Sequence, residues 1–379
     1  MPIARILARN LGSRARSGTS PLTHAKAALM TSLLERRDAR RAPFDGGHGG
    51  GVFLSIQYLR GLASLMVLLY HAGYDLGLIT EGSRPHWLAS GVDIFFVVSG
   101  FVMVTATADR PVTARRFLAS RIARVVPIYW LATLAMIAIL ALRGQMLPTL
   151  GEVAFSFLFI FYFNARVQDT SPILGPGWTL NYEIYFYLVF AALLRVPVLG
   201  RIAIMALLFV AITALRPVVP ADSAFLVRVT SPIPLEFVAG MVIGYGRGRL
   251  MQAPAALGAA LIGIAFAALS LLDPPLPRVA FFAPPAVLIV LGGVMLERHI
   301  GRRHIGLLGR LGDVSYSLYL THPLLLAMLT PITVAAAWVW PLGIAIVLGS
   351  VALGFAAYNW VEVPTTRAAR RLLGGVRRD

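Results

Sequence analysis

The sequence predicts an all-α polytopic membrane protein. The expected architecture is a bundle of about ten transmembrane helices, both termini cytoplasmic, with a candidate re-entrant segment near 153–163. Three observations carry that expectation. The 379 residues are 58% hydrophobic and only 13% charged, with a mean hydropathy of +0.75, against about a quarter charged in soluble domains. From residue 56 onward the apolar runs are continuous and each is long enough for a crossing, not alternating as in a membrane barrel. The 34 Lys and Arg cluster between the runs on one predicted side.

The spans fall at about 56–79, 88–108, 125–142, 177–194, 202–219, 231–246, 254–272, 279–296, 313–335 and 342–361. Val153–Phe163 is too short for an ordinary crossing. Leaving it out puts 27 Lys/Arg on the cytoplasmic side and six on the other, with Arg60 inside the first span. Counting it as a crossing would move the later arginine groups outside. The positive-inside rule also accounts for the net charge of +17, so nucleic acid is not an expected partner. Residues 1–51 form a basic segment expected to be a disordered cytoplasmic tail. Residues 52–365 form the membrane domain, and 366–379 a short basic cytoplasmic tail. The absence of cysteine excludes disulfides and thiolate catalysis. The scattered histidines suggest no metal site, and no phosphate-loop, dinucleotide, HExxH or GxSxG motif occurs.

The first span, QYLRGLASLMVLLYHAGYD, carries the densest polar pattern. Arg60 and His71 are eleven residues apart, about three turns or 16 Å, so they share one side, and Asp75 joins it one turn later. Ionisable groups in a membrane helix are costly and normally face a bundle interior or a pathway. A histidine beside a carboxylate can act as a general base, with Arg60 toward the inner face. The structural alternatives are a snorkelling Arg60, a His71 bonded to a helix carbonyl, and an Asp75 lying idle among headgroups.

Four further stretches stand out. Asp93 and Ser99 lie in GVDIFFVVSGF, where Ser99-Gly100 also offers a small surface for helix packing. Arg121 and Arg124 in RIARVVPIYW are neighbours on one helix face, suited to phosphate or to interface anchoring. Trp178 and Glu183 lie in GPGWTLNYEIYFY, and Glu183, like Glu236, is a carboxylate within a span that needs a partner. In LGDVSYSLYLTHPLLL, Asp313 or Ser315 is expected to cap a helix start. There His322, before Pro323, is expected to bond a backbone carbonyl near the kink.

In their order and spacing RGLASLMVLLYH, GVDIFFVVSGF, RIARVVPIYW, GWTLNYEIYFY and VSYSLYLTHPLLL resemble the membrane acyltransferase-3 family, over about residues 55–365. The resemblance is greatest to its exopolysaccharide-production acetyltransferase branch. It implies a multi-pass enzyme of the bacterial inner membrane that takes an acyl, usually acetyl, group from acyl-CoA. The acceptor is a hydroxyl of a surface or exported polysaccharide, and no cofactor is tightly bound. It implies His71 as the catalytic histidine, Arg60 as its companion, and Arg121 and Arg124 as holders of coenzyme A phosphates. Ser99, Trp178, Glu183 and His322 fall on other recurrent positions of the family. The 51-residue basic tail departs from the pattern. The rival readings are a proton-coupled transporter or flippase with Arg60, His71, Asp93, Glu183 and Glu236 as a relay, and acyl transfer to a lipid or other small acceptor.

Overall fold

The structure, a computed structural model, describes residues 53–79, 86–108, 112–271, 276–300, 306–330 and 336–373. The basic segment 1–51 and the last six residues lie outside them. Among the described residues the chain is helical, with no β-strand. In order the helices are α1 (Leu54–Asp75), α2 (Gly91–Ala108), α3 (Ala114–Leu142), α4 (Leu150–Phe157), α5 (Trp178–Ala192) and α6 (Val198–Ala214). There follow α7 (Ala224–Val229), α8 (Pro234–Leu250), α9 (Ala255–Leu271), α10 (Arg278–Ile300), α11 (Gly306–Leu329), α12 (Ala336–Ala357) and α13 (Val363–Leu373).

Among the described residues each of the ten expected spans overlaps one of these helices, and the end of the span 313–335 lies outside them. Six stretches among the described residues are long and apolar enough to cross a membrane: Trp87–Ala108, Ala114–Leu142, Val198–Val218, Ala224–Leu250, Arg278–Ile300 and Ala337–Leu373. α5 and α9 are shorter, at 15 and 17 residues. α1 and α11 are long, at 22 and 24 residues, but each carries several of the polar groups described below, and those groups lower its hydropathy. α4 has eight residues, about 12 Å of helix, and so does not cross. Its start is closed by a capping box between Thr149 and Glu152, and the Trp130 indole N–H holds its end by donating to the Phe157 carbonyl at 3.0 Å. The basic segment after 365 continues as helix α13 to Leu373, packed along α3.

Two close helix contacts set the frame. A Cβ on Gly100 would lie 1.8 Å from the Phe237 carbonyl oxygen, and one on Gly240 would lie 1.9 Å from that of Val97. Glycine at both positions lets α2 and α8 touch backbone to backbone, running parallel. A Cβ on Gly312 would meet the Gln57 carbonyl at 2.2 Å, and one on Gly61 the Gly312 nitrogen at 2.9 Å. This brings α11 against α1, also parallel. The first turn of α1 is closed from α10, where the Glu297 carboxylate accepts from the Leu54 and Ser55 amides at 2.9 and 2.8 Å. Between α2, α3, α5 and α8 the core is aromatic, with Phe96, Tyr182, Phe186 and Phe237 in mutual contact.

Candidate active site

The polar faces of α1 and α11 meet at three levels. At the first, the Gln57 amide donates to Asp313 and, at 3.4 Å, to the Gly309 carbonyl. One turn on, Arg60 Nη2 donates to Ser315 Oγ at 2.9 Å, and Ser315 donates to the Gly312 carbonyl at 2.8 Å. Further along both helices, His71 Nδ1 and His322 Nε2 lie 3.0 Å apart, and His322 Nδ1 lies 3.0 Å from the Leu318 carbonyl. The contacts ascend together, so the helices run in the same direction. Asp313 and Ser315 do not cap a helix start, because α11 begins at Gly306 and both sit inside it. The carbonyl bonded by His322 is that of Leu318, four residues back.

A second wall comes from α3, α5 and the segment after α12. Arg60 shares one electrostatic neighbourhood with Arg124, Glu362, Asp313 and Glu183, and Arg121 with Tyr187, Arg124, Glu183 and Arg370. Glu183 is held by Ser99, which donates to it at 3.2 Å, and by the Tyr187 hydroxyl. Glu362 accepts from Ser317 at 2.5 Å. A turn of π-helix at Tyr358–Glu362 joins α12 to α13 and delivers that carboxylate, a distortion frequent at functional sites. The Tyr316 hydroxyl ties α11 to α3 through the Val125 carbonyl at 2.8 Å. Arg121 lies over the Phe117 ring, and its Nε is buried without a hydrogen-bond partner. The cluster therefore concentrates three guanidinium groups, and the unpartnered Arg121 Nε is a donor open to a ligand, which suits a polyanionic one.

The other end of the bundle has a separate cluster. Asp93, fully buried, accepts both nitrogens of the Arg278 fork at 2.9 and 2.8 Å. Glu236 lies beside Asp93, buried, with no hydrogen bond of normal geometry to either carboxyl oxygen. Trp178 has Arg278 over its ring at 5.5 Å and Arg228 at 5.8 Å, and Arg228 pairs with Asp169 at 3.3 Å. Tyr319 reaches from α11 toward this end, its hydroxyl 2.9 Å from Thr179 Oγ1 and 3.0 Å from the Pro176 carbonyl. Its ring is 6.0 Å from that of His322. The residues singled out in the sequence thus fall into three groups. Arg60, Arg121, Arg124, Glu183 and Ser99 gather in one, His71 and His322 form the next, and Asp93, Trp178 and Glu236 the third. Asp75 stays apart, exposed at the end of α1, and the ring partner of His71 is a second histidine.

The structure adds residues that the sequence did not single out. Glu362 shows the same signal as Glu183, one carboxylate beside an apolar span, but it lies at a span's end where charge is ordinary. Arg278 precedes a span and reads as a loop charge. Tyr319 reads as a belt aromatic.

Residues 53–359 match the acyltransferase domain of the acyltransferase-3 family. The chain belongs to that family. It is a multi-pass membrane acyltransferase. It is 38% identical over 320 residues to the exopolysaccharide production protein ExoZ of Rhizobium meliloti (strain 1021), across 82% of this chain and 98% of that protein. It is 30% identical over 159 residues to protein 2 in the picA locus of Rhizobium radiobacter, across 37% of this chain and 81% of that one. To BcsY of Komagataeibacter xylinus, provisionally named a membrane-bound transacylase, it is 28% identical over 294 residues, 70% and 71% of the two chains. No solved structure matches the chain.

Proposed function

We propose that this acyltransferase moves an acetyl group from acetyl-CoA to a hydroxyl of a cell-surface or exported polysaccharide, across the bacterial inner membrane. The observation that carries the reading is the separation along α1 and α11. An arginine cluster with Arg60, Arg121 and Arg124 occupies one level, and a histidine pair lies deeper on the same two helices. The cluster supplies guanidinium donors for the coenzyme's phosphates at the cytoplasmic face. The pantetheine arm then extends along α1 toward His71. The extent of the similarity to ExoZ, over nearly its full length, supports a saccharide acceptor.

His71 takes the proton of the acceptor hydroxyl as its oxygen attacks the thioester carbonyl carbon. A C–O bond forms, the tetrahedral intermediate collapses, and the C–S bond breaks. The imidazolium returns the proton to the departing thiolate, giving the ester and free coenzyme A. Arg60 holds the donor or stabilises the oxyanion, and the Glu183 carboxylate balances part of the charge of Arg60 and Arg121.

Ten crossings with both termini cytoplasmic fit the packing. Seven spans separate α1 from α11 in that count, so the two must run in the same direction, as their contacts do. The residues of the transporter reading lie in three separate clusters, which favours chemistry over a relay. Membranes containing the protein, given [¹⁴C]acetyl-CoA and isolated exopolysaccharide precursor, are expected to label the saccharide. Acetylation by NMR of exopolysaccharide from a deletion strain is expected to fall. Unchanged acetylation together with unlabelled saccharide would remove the proposal.

A further inference from the structure

The bond between His71 and His322 has a direction, and the second bond of His322 sets it. His322 Nδ1 is 3.0 Å from the Leu318 carbonyl oxygen. A carbonyl only accepts, so this nitrogen carries a proton. His322 is fully buried, and its hydrogen-bond partners are a carbonyl and another imidazole, neither of which compensates a charge. The neutral ring is the form such burial favours. Its Nε2 therefore holds a lone pair and accepts from His71 Nδ1, 3.0 Å away. The rings are joined edge to edge. Their planes differ by 19° and their centroids are 5.1 Å apart, the roughly 5 Å that an in-plane bond of this length requires.

We infer that His322 is a positioning residue that locks His71 in its Nδ1–H tautomer, so that Nε2 of His71 is the nitrogen that takes the acceptor's proton. The inference rests on the reading of His71 as the base and names the atom that acts. The line His71 Nδ1–H to His322 Nε2, then His322 Nδ1–H to the Leu318 carbonyl, has a single sense. The two histidines come from parallel helices pinned by Arg60–Ser315, so the ring orientation is set by packing. When His71 becomes an imidazolium, its Nδ1–H bond becomes charge-assisted and strengthens, which favours the reacting state. The neighbouring Tyr70 ring meets His71 edge-on at 5.6 Å and restricts its rotation.

Two measurements on the full-length protein in detergent or nanodiscs test this. In the nitrogen-15 spectrum of histidine-labelled protein, with His71 assigned by comparison with His71→Gln, the proton of His71 is expected on Nδ1. A spectrum with the proton on Nε2 would overturn the inference. In the second, His322→Gln keeps an acceptor oxygen near the position of Nε2, and His322→Leu keeps none. The Leu variant is expected to lower kcat roughly 10–100-fold, the usual scale for loss of an orienting partner, with KM for acetyl-CoA unchanged. The Gln variant is expected to recover most of that loss. A Leu variant at wild-type kcat, or a Gln variant as impaired as the Leu variant while both remain monodisperse, would also overturn it. If the Leu variant does not fold, the spectrum and the Gln variant decide. Full transfer by His71→Ala would remove the reading of His71 as base, while the tautomer would still be read from the spectrum.

Discussion

Arg60 of α1 donates to Ser315 of α11 at 2.9 Å, and both groups are buried. The bond ties a buried guanidinium to a hydroxyl that already donates to its own backbone. A planar fork can serve Ser315 while its remaining donors face Glu362, Asp313 or a ligand. A lysine is a point charge with no such geometry. Arg60→Lys is therefore expected to fold and to lose most transfer activity, a tenfold loss corresponding to about 1.4 kcal/mol. Single-turnover acetyl transfer with each variant checks this.

Arg121→Ala and Arg124→Ala are expected to raise KM for acetyl-CoA by roughly one to two orders of magnitude, as loss of a charge-assisted bond implies. With acetyl-pantetheine, which lacks the nucleotide phosphates, the same variants are expected to behave like the wild type. An equal loss with both donors would show that the arginines do not read the phosphates.

Asp93 and Arg278 form a two-bond ion pair in which the carboxylate is fully buried and the arginine side chain 35% exposed. Arg278→Met strands a buried charge and is expected to cost about 3 kcal/mol, the low end for a broken buried pair because of that exposure. Asp93→Asn with Arg278→Met is expected to cost less than the sum of the single changes. Apparent Tm in detergent across the double-mutant cycle measures the coupling.

Gly100→Ala forces a methyl carbon into the Phe237 backbone, where nothing can rotate aside. The expected result is severe destabilisation, beyond the ~1–3 kcal/mol of ordinary overpacking. Gly248→Ala, where the added carbon meets no atom within 4 Å apart from its own stretch of helix backbone, is the matched control. Yield of monodisperse protein separates the two.

Much of this arrangement was legible in the sequence because membrane burial makes polar residues conspicuous. Among the described residues each of the ten expected spans overlaps a helix, since an apolar run in lipid has few alternatives. Arg60, His71, Glu183 and His322 stand out for the same reason. Which of them meet was not legible, because the pairing of α1 with α11 depends on Gly61 and Gly312 allowing close approach across about 250 residues of chain. Asp75 shows the converse. Its spacing from His71 is right for a partner, yet it ends the helix in the open. Arg278 and Glu362 sit at helix ends, where charge is ordinary, so only the fold reveals their bonds to Asp93 and Ser317.

The most direct test is acetyl transfer by His71→Ala, reconstituted with [¹⁴C]acetyl-CoA and the saccharide acceptor. The protein is expected to remain inserted, monodisperse and able to bind acetyl-CoA, with transfer reduced by about 10²–10⁴. Transfer at the wild-type rate by this variant would contradict the account.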